Sequence, residues 1–383
     1  MARSIITGID VGTRQIKVVI AHGSETNENG LPKILATAIT ESRGLRHGYV
    51  VNIDEVTKSI RRAITDAEKK AQVKVKKAFI AIGGIGLVSV TSTSSVIISR
   101  ADLEITSLDV KKIQEQCEKD IPPQTILNRK IINQVPLYYK LDGKIALGKP
   151  EGMKASKLEV KMLYITCLES HLNNMIEAVE NAHISVEDVV ASSMAASLIT
   201  LSKSQKIAGC VLVNIGAETV AVSVFENNMP VSLEVFDIGS TDITNDIALG
   251  LKVPLEEAEQ IKIGAITGSS YPRKKFDEIV SARLSDIFEL VEMHLKKMGR
   301  NGLLPAGIVI IGGGANLSGI DELAKTALRI PARIGGKDSV WAVAYGLCAI
   351  GTRVDDDVPI DTSVQFISKL WKGILSWIKQ FLP

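Results

Sequence analysis

The chain has 383 residues, enough for two or three domains and a sizeable core. Lys+Arg number 45 against 43 for Asp+Glu, a formal charge of +2. That balance is too even for a protein held to nucleic acid by its overall field, so no nucleic-acid partner is expected. Hydrophobic residues make up 45% and charged residues 23%, an ordinary globular composition, and no apolar run approaches the ~18 residues of a spanning helix. Met1 to Gly8 runs straight into a strand-like segment with no apolar leader. Cys117, Cys167, Cys210 and Cys348 lie far apart with no histidine pair nearby, which argues against a zinc site or a disulfide framework and fits a reducing cytoplasm.

In chain order, Ile5–Thr13 and Ile16–Ile20 read as strand, tight turn and strand, with Gly12 and Thr13 at the turn. Asn52–Val73 is helical in pattern, with Val56, Ile60, Ala63, Ile64 and Ala67 on one face. A β-rich stretch follows over 78–98, then a helix over 107–119, loops around Pro122-Pro123, Pro136 and residues 142–153, a strand over 158–166 and a helix over 170–182. Residues 84–162 therefore read as a small α+β module inserted into the first domain. A second strand–turn–strand unit spans Cys210–Thr219 and Val220–Phe225. Asn214 stands 204 positions after Asp10 and Gly216 the same distance after Gly12, which implies duplicated domains facing one another. Helices are expected over 241–251, 255–263, 275–297 and 320–327, with a buried strand ending in Gly312-Gly313-Gly314 between the last two. From Gly351 the composition turns acidic and linker-like through about residue 364, with Asp355-Asp356-Asp357 and Pro359.

Three of these segments carry phosphate chemistry. At the first turn, glycine lets the backbone approach an anion, Thr13 adds a hydroxyl and Lys17 a positive charge, while Asp10 suits Mg²⁺ through water. The Gly312–Gly314 turn can face a ribose or base. No GxxxxGK[ST] run exists, which excludes the P-loop solution.

These segments resemble the phosphate-1, phosphate-2 and adenosine motifs of the actin, Hsp70 and sugar-kinase superfamily. Gly48–Ile53, Ile243–Leu251, Glu256–Lys262 and Leu304–Val309, with the insertion at 84–162, narrow the resemblance to the bacterial cell-division family FtsA. It implies an α/β actin-like fold of two domains: 1–83 plus 163–203 as subdomain 1A, 84–162 as 1C, 204–240 plus 303–350 as 2A and 241–302 as 2B, then a linker over 351–364 and a terminal helix over 365–383. It implies ATP and Mg²⁺ as ligands, held by Asp10, Gly12, Thr13, Lys17, Asn214, Gly216 and Thr219. Glu259 and Lys262 would flank the adenosine, above a floor of Gly312, Gly313 and Gly314.

The second phosphate motif departs from the family pattern Asp-Ile-Gly-Gly-Gly-Thr-Thr-Asp. Here it reads Asn214-Ile215-Gly216-Ala217-Glu218-Thr219-Val220-Ala221. Asn214 cannot carry the charge expected to hold a metal-bound water, and Glu218 is expected to bring a negative side chain near the phosphates. ATP binding with slow or absent hydrolysis follows, since hydrolysis needs an oriented water and charge neutralisation.

The terminal stretch is the second signal. Aromatic residues are only 4% of the chain, yet Phe366, Trp371, Trp377 and Phe381 all lie near its end. On a helical wheel, Phe366, Ile367, Leu370, Trp371, Ile374, Trp377, Ile378 and Phe381 share one half, and Lys369, Lys372 and Lys379 the other. A broad apolar face opposite lysines fits a helix lying in the interface of an anionic membrane. The resemblance agrees: it implies a peripheral protein on the cytoplasmic side of the membrane at the division site. Such a protein polymerises with itself, holds the C-terminal tail of FtsZ and meets later division proteins through 1C. Lys275, Arg283 and Asp286 on the long helix are the candidate surface for that tail, with Arg283 and Asp286 read as exposed. The alternatives are a pilus-assembly adaptor of the PilM type, which needs no lipid-binding helix, and a small-molecule kinase of the same superfamily, which needs a catalytic aspartate in the cleft.

Overall fold

The computed structural model describes residues 5–28, 30–266, 271–336 and 339–355. The terminal membrane-binding stretch, Phe366 to Phe381 with its lysines, lies outside them.

The first half opens with β1 (Ile5–Val11), β2 (Gln15–Thr26) and β3 (Pro32–Glu41), a short hairpin of β4 (Leu45–Arg46) and β5 (Tyr49–Val50), then α1 (Ile53–Ala71) and β6 (Lys77–Ile82). The insertion follows as β7 (Val88–Ile97), α2 (Ser107–Lys119), the one-turn α3 (Pro123–Ile126), β8 (Arg129–Leu141), β9 (Lys144–Ile145) and β10 (Lys157–Leu168). The chain returns through α4 (Glu169–Glu180), β11 (Ser185–Ala191), α5 (Ser192–Thr200) and α6 (Lys203–Ala208). The second half comprises β12 (Cys210–Ile215), β13 (Val220–Glu226), β14 (Met229–Phe236), α7 (Ser240–Leu251), α8 (Leu255–Lys262), α9 (Arg273–Lys297), β15 (Ile308–Ile311), α10 (Ile320–Leu328), β16 (Ala332–Ile334) and α11 (Ala342–Asp355).

Local chemistry sets these boundaries. The Asn52 side chain accepts from the Glu55 amide at the start of α1, acids occupy its first turn, and Lys69 and Lys70 its last. Its buried face includes Val56, Ile60, Ala63, Ile64 and Ala67, as the spacing predicts. At α2, Thr106 and Asp109 form a capping box. Pro136, expected in a loop, instead sits inside β8 opposite Met162, beside a register shift between Lys161 and Met162. The irregularity and the shortness of β9, which pairs only with Lys140 and Leu141, leave that part of β8 without a ladder partner on its other side, where a residue lacking an N–H is tolerated.

The duplication read from the sequence is visible strand for strand. One five-stranded sheet runs β11-β6-β1-β2-β3 and the other β16-β15-β12-β13-β14. In both, the hairpin strands pair antiparallel while the central strand pairs parallel with β6 or β15. Helices α5 and α11 lie between the sheets in one buried cluster, where Ile6, Val19 and Phe79 of the first sheet join Leu212, Val309 and Ile311 of the second. Glycine permits that approach: a Cβ on Gly8 would fall 2.2 Å from the Ala344 carbonyl oxygen, and one on Gly346 2.0 Å from that of Ala195. Helix α11 continues to Asp355, so the first residues assigned to the acidic linker are helical. The insertion forms its own four-stranded sheet, β7-β10-β8-β9, with a core around Ile113, Val160 and Tyr164. Among the described residues no helix is long and apolar enough to cross a membrane.

Candidate functional site

Two equivalent turns meet at the junction of the sheets. Between β1 and β2 the Gly12 amide donates to the Gln15 carbonyl at 3.2 Å; between β12 and β13 the Gly216 amide donates to the Thr219 carbonyl at 2.8 Å. A Cβ would come within 2.9 Å of the Gln15 oxygen in the first turn and 3.0 Å of the Thr219 oxygen in the second, so a side chain would crowd the turn carbonyl in both. The Gly12 amide is therefore committed to its own turn, and the residue meets the cavity as bare backbone.

Between the turns is a cavity of about 920 Å³, part of it open to solvent. Of the residues expected from the sequence, Asp10, Gly12, Thr13, Lys17, Asn214, Gly216, Thr219, Gly312 and Gly313 line it. At Gly313 a Cβ would meet nothing within 4 Å, so bare backbone faces the space. Gly314 is not among the lining residues; it is buried, and a Cβ there would lie 2.3 Å from Ile215 Cγ2. The floor is thus Gly312 and Gly313.

Glu259 and Lys262 also stand outside the lining and are bound into a network beside it. Lys262 Nζ lies 2.8 Å from Glu259 Oε2, with side-chain exposures of 6% and 15%. Lys262 also donates to the Ser240 carbonyl at 2.9 Å and to Thr244 Oγ1 at 2.7 Å, and Thr244 Oγ1 lies 2.7 Å from Glu259. Burial alone would raise the Glu259 carboxyl, but hydrogen bonds from Lys262 and Thr244 and the positive charges of Lys262 and Arg14 outweigh it and hold the pKa below its usual value. Ser240, at the first turn of α7, and Ser192, at the first turn of α5, both line the cavity, so two helix N-termini reach it.

Glu218 corrects the sequence reading. Its carboxylate does not line the cavity: Oε2 accepts from the His47 amide at 2.5 Å and Oε1 lies 3.6 Å from Arg46 Nη1. His47 Nδ1 in turn sits 2.5 Å from Asp237. The turn thus ties itself to the β4–β5 hairpin of the other half. Arg14, at the equivalent position 204 residues earlier, reaches the opposite way, and its Nη1 donates to Glu259 Oε1 at 2.6 Å. Arg14 was missed because an arginine in a turn reads as solvated; the duplication itself was the signal that positions 14 and 218 correspond. Gly48, Gly83 and Gly84 also line the cavity.

The donor set fits a nucleotide with one divalent cation. Asp10 is the carboxylate among the lining residues, 3.5 Å from Lys17, its cross-strand partner. No group of three or more potential metal ligands occurs among the described residues, and Asp10 is the carboxylate that would hold a cation here, with phosphate and water left to fill its shell as suits Mg²⁺.

On α9, Lys275 and Asp286 are exposed, whereas Arg283 is half-buried. Its Nε donates to Asp246 at 2.6 Å and its Nη2 at 3.0 Å, with Asp286 3.3 Å from Nη1. The sequence reading of an exposed Arg283 is corrected by that fork.

Comparisons with known proteins follow the same lines. The family model described as cell division protein FtsA matches residues 211–346, and that for the SHS2 domain inserted in FtsA matches 84–166. The cell division protein FtsA of Borreliella burgdorferi is 30% identical over 359 residues, covering 88% of this chain and 85% of that protein. That of Pseudomonas aeruginosa is 29% identical over 385 residues, covering 92% and 90%. Among solved structures, a PilM–PilN type IV pilus biogenesis complex superposes with a TM-score of 0.65 at 17% identity, covering 91% of this chain and 99% of that one. MreB5 of Spiroplasma citri bound to ADP gives 0.51 at 12% identity over 93% and 99%, and a MamK double helical filament 0.52 at 14% over 93% and 99%. These structural likenesses establish an actin-like α/β fold, and the family match at 84–166 identifies its insertion as an SHS2 domain.

Proposed function

The chain belongs to the FtsA family of cell-division proteins, and on that premise we propose that it is an actin-like adaptor. It binds ATP with Mg²⁺ in the cleft, polymerises, and tethers FtsZ filaments to the cytoplasmic face of the membrane at the division site. The observation that carries the nucleotide reading is the pair of equivalent glycine turns, one from each sheet, facing a single cavity. Lys17 and the hydroxyls of Thr13 and Thr219 hold the phosphates, the N-termini of α5 and α7 add favourable dipoles, and Gly312–Gly313 carry the adenosine side. Mg²⁺ supplies charge neutralisation when bound, held by Asp10 through water. With Asn214 where the family pattern has aspartate, no second carboxylate orients an attacking water, so turnover is slow.

The subdomain division 1A, 1C, 2A and 2B follows the family. The exposed part of α9, Lys275 and Asp286 with Arg283 between them, receives the FtsZ tail; the SHS2 module meets later division proteins; and the terminal helix from Phe366 to Phe381 lies on anionic lipid through its lysines. One helix binds weakly alone, and polymerisation multiplies it by avidity.

Co-sedimentation with anionic vesicles and Mg-ATP tests this, comparing the full chain with one ending at Ser363. The full chain pellets and then recruits FtsZ; the shortened chain stays in the supernatant and still binds ATP. Equal pelleting of both chains, or of neither, would overturn the anchor reading.

A further inference from the structure

Arg14 sits at the cavity's edge with its side chain 51% exposed and its guanidinium on Glu259, which belongs to the other half of the molecule. Two observations make that pairing exchangeable. Glu259 does not depend on it, because Lys262 Nζ at 2.8 Å and Thr244 Oγ1 at 2.7 Å both remain on Oε2 if Arg14 leaves. Withdrawal of Arg14 therefore strands no buried charge. The second observation is the charge of the lining. Asp10 and Lys17 lie 3.5 Å apart and offset one another, and Arg14 is the remaining charged residue of the lining. Its present partner, Glu259, stands outside the cavity. The matching position in the opposite turn carries Glu218, which is turned away onto Arg46 and His47, so that turn brings no carboxylate into the cavity to repel an incoming anion. A guanidinium also presents donors in a planar fork that matches phosphate oxygens better than it matches one carboxylate oxygen.

We propose that Arg14 is a phosphate ligand held in reserve: a polyphosphate anion entering the cleft takes the guanidinium from Glu259, so phosphate capture and release of Glu259 Oε1 are one exchange. The inference rests on the nucleotide reading of the cleft. Without such an anion the arginine bridges the two halves. In the loaded cleft it closes over the phosphate chain, and the freed Glu259 oxygen becomes available as an acceptor on the adenosine side.

Inorganic tripolyphosphate is the direct probe, because it engages the phosphate site without a sugar that Glu259 could contact. Calorimetric titration of the full chain, with ATP run in parallel, compares wild type, Arg14→Gln, Arg14→Lys and Glu259→Gln, each checked for an unchanged melting profile. Loss of one charge-assisted contact weakens tripolyphosphate by about tenfold in Arg14→Gln, and Arg14→Lys falls between it and wild type. Glu259→Gln tightens tripolyphosphate, because the competitor for the guanidinium has lost its charge. Opposite signs for the two single variants are the signature of exchange. If both weaken binding alike, Arg14 is only a brace between the halves and the proposal fails; it fails equally if neither changes, or if ATP binds while tripolyphosphate does not. Absence of ATP binding by the wild type would remove the cleft reading and this inference with it.

Discussion

Single residues across this molecule derive their roles from what surrounds them more than from their type. Asp188 is an example away from the cleft. It lies in β11 at a register shift, and burial pushes its carboxyl up to about 6, with Glu187 adding to the rise. A raised carboxyl pKa means the fold favours the protonated form, so its contribution to stability falls as pH climbs from the unfolded value near ~4 to about 6 and then stays low. Asp188→Asn keeps the oxygen that accepts from the Val189 amide and removes the charge. The variant is expected to be more stable than wild type by about 1–3 kcal/mol at pH 7.5 and equal to it near pH 3.5. Denaturant titrations at both values check this, and a gap independent of pH would refute it. Glu218 teaches the same lesson at the site. As an acid in a phosphate motif it reads as a repulsive charge, whereas its carboxylate is spent on the His47 amide and Arg46. Nothing in the local sequence announces a partner 171 positions away. The glycines and Asp10, Thr13 and Lys17 were legible because turn chemistry is local. Which charges face the cavity is decided by the other half of the chain.

Among the elements, the β4–β5 hairpin shows how a short segment can matter more than its length implies. Its two strands have two residues each, too few for any periodicity, so the sequence reading used Gly48–Ile53 as a family mark and named no strand there. In the structure it touches three parts of the molecule. His47 bonds Glu218 and Asp237 of the second half; Gly48 lines the cavity; and the Tyr49 hydroxyl donates to the Ile85 carbonyl at 2.5 Å, where the chain enters the insertion. Gly48 has φ +82°, and a Cβ there would fall 2.4 Å from Gly84 Cα. Gly48→Ala is therefore expected to cost more than about 2 kcal/mol and to weaken ATP binding as well, because the collision displaces Gly84, which lines the same cavity. Thermal melts and nucleotide titration on one preparation test it, and a variant with wild-type values for both would show that the hairpin yields freely. Helices α1, α2 and α9 were legible because each has one wet face. Helix α11 was not, because it is packed between two sheets and shows no polar stripe.

At the scale of the whole molecule, Arg14–Glu259 and Arg46–Glu218 are ion pairs across the cleft among the described residues, and the polar contact His47–Asp237 lies beside them. The outer partners are substantially exposed, with Arg14 at 51% and Arg46 at 69%, so salt screens them. Raising salt from about 0.1 M to about 1 M shortens the Debye length from roughly 10 Å to 3 Å. The nucleotide-free protein should then open, seen as a larger radius of gyration in small-angle scattering, while Mg-ATP should suppress the change. A radius indifferent to salt would show that the apolar layer alone sets the closure. The twofold plan of the fold was legible from two hairpins 204 residues apart, because the repeat preserves both the strands and the turn glycines. The wrapping of α5 and α11 into a shared layer was not, since it depends on close approaches at Gly8 and Gly346 that only the assembled halves reveal.

That layer has a mechanical consequence. Helix α11 rests on β1 through Gly8 and on α5 through Gly346, and it is also the covalent path from the folded body to the apolar terminal stretch. A pull that reaches Asp355 therefore loads a helix packed on the first sheet and on α5, and α5 passes it on to the second sheet. The load is spread over the many side chains of that buried layer.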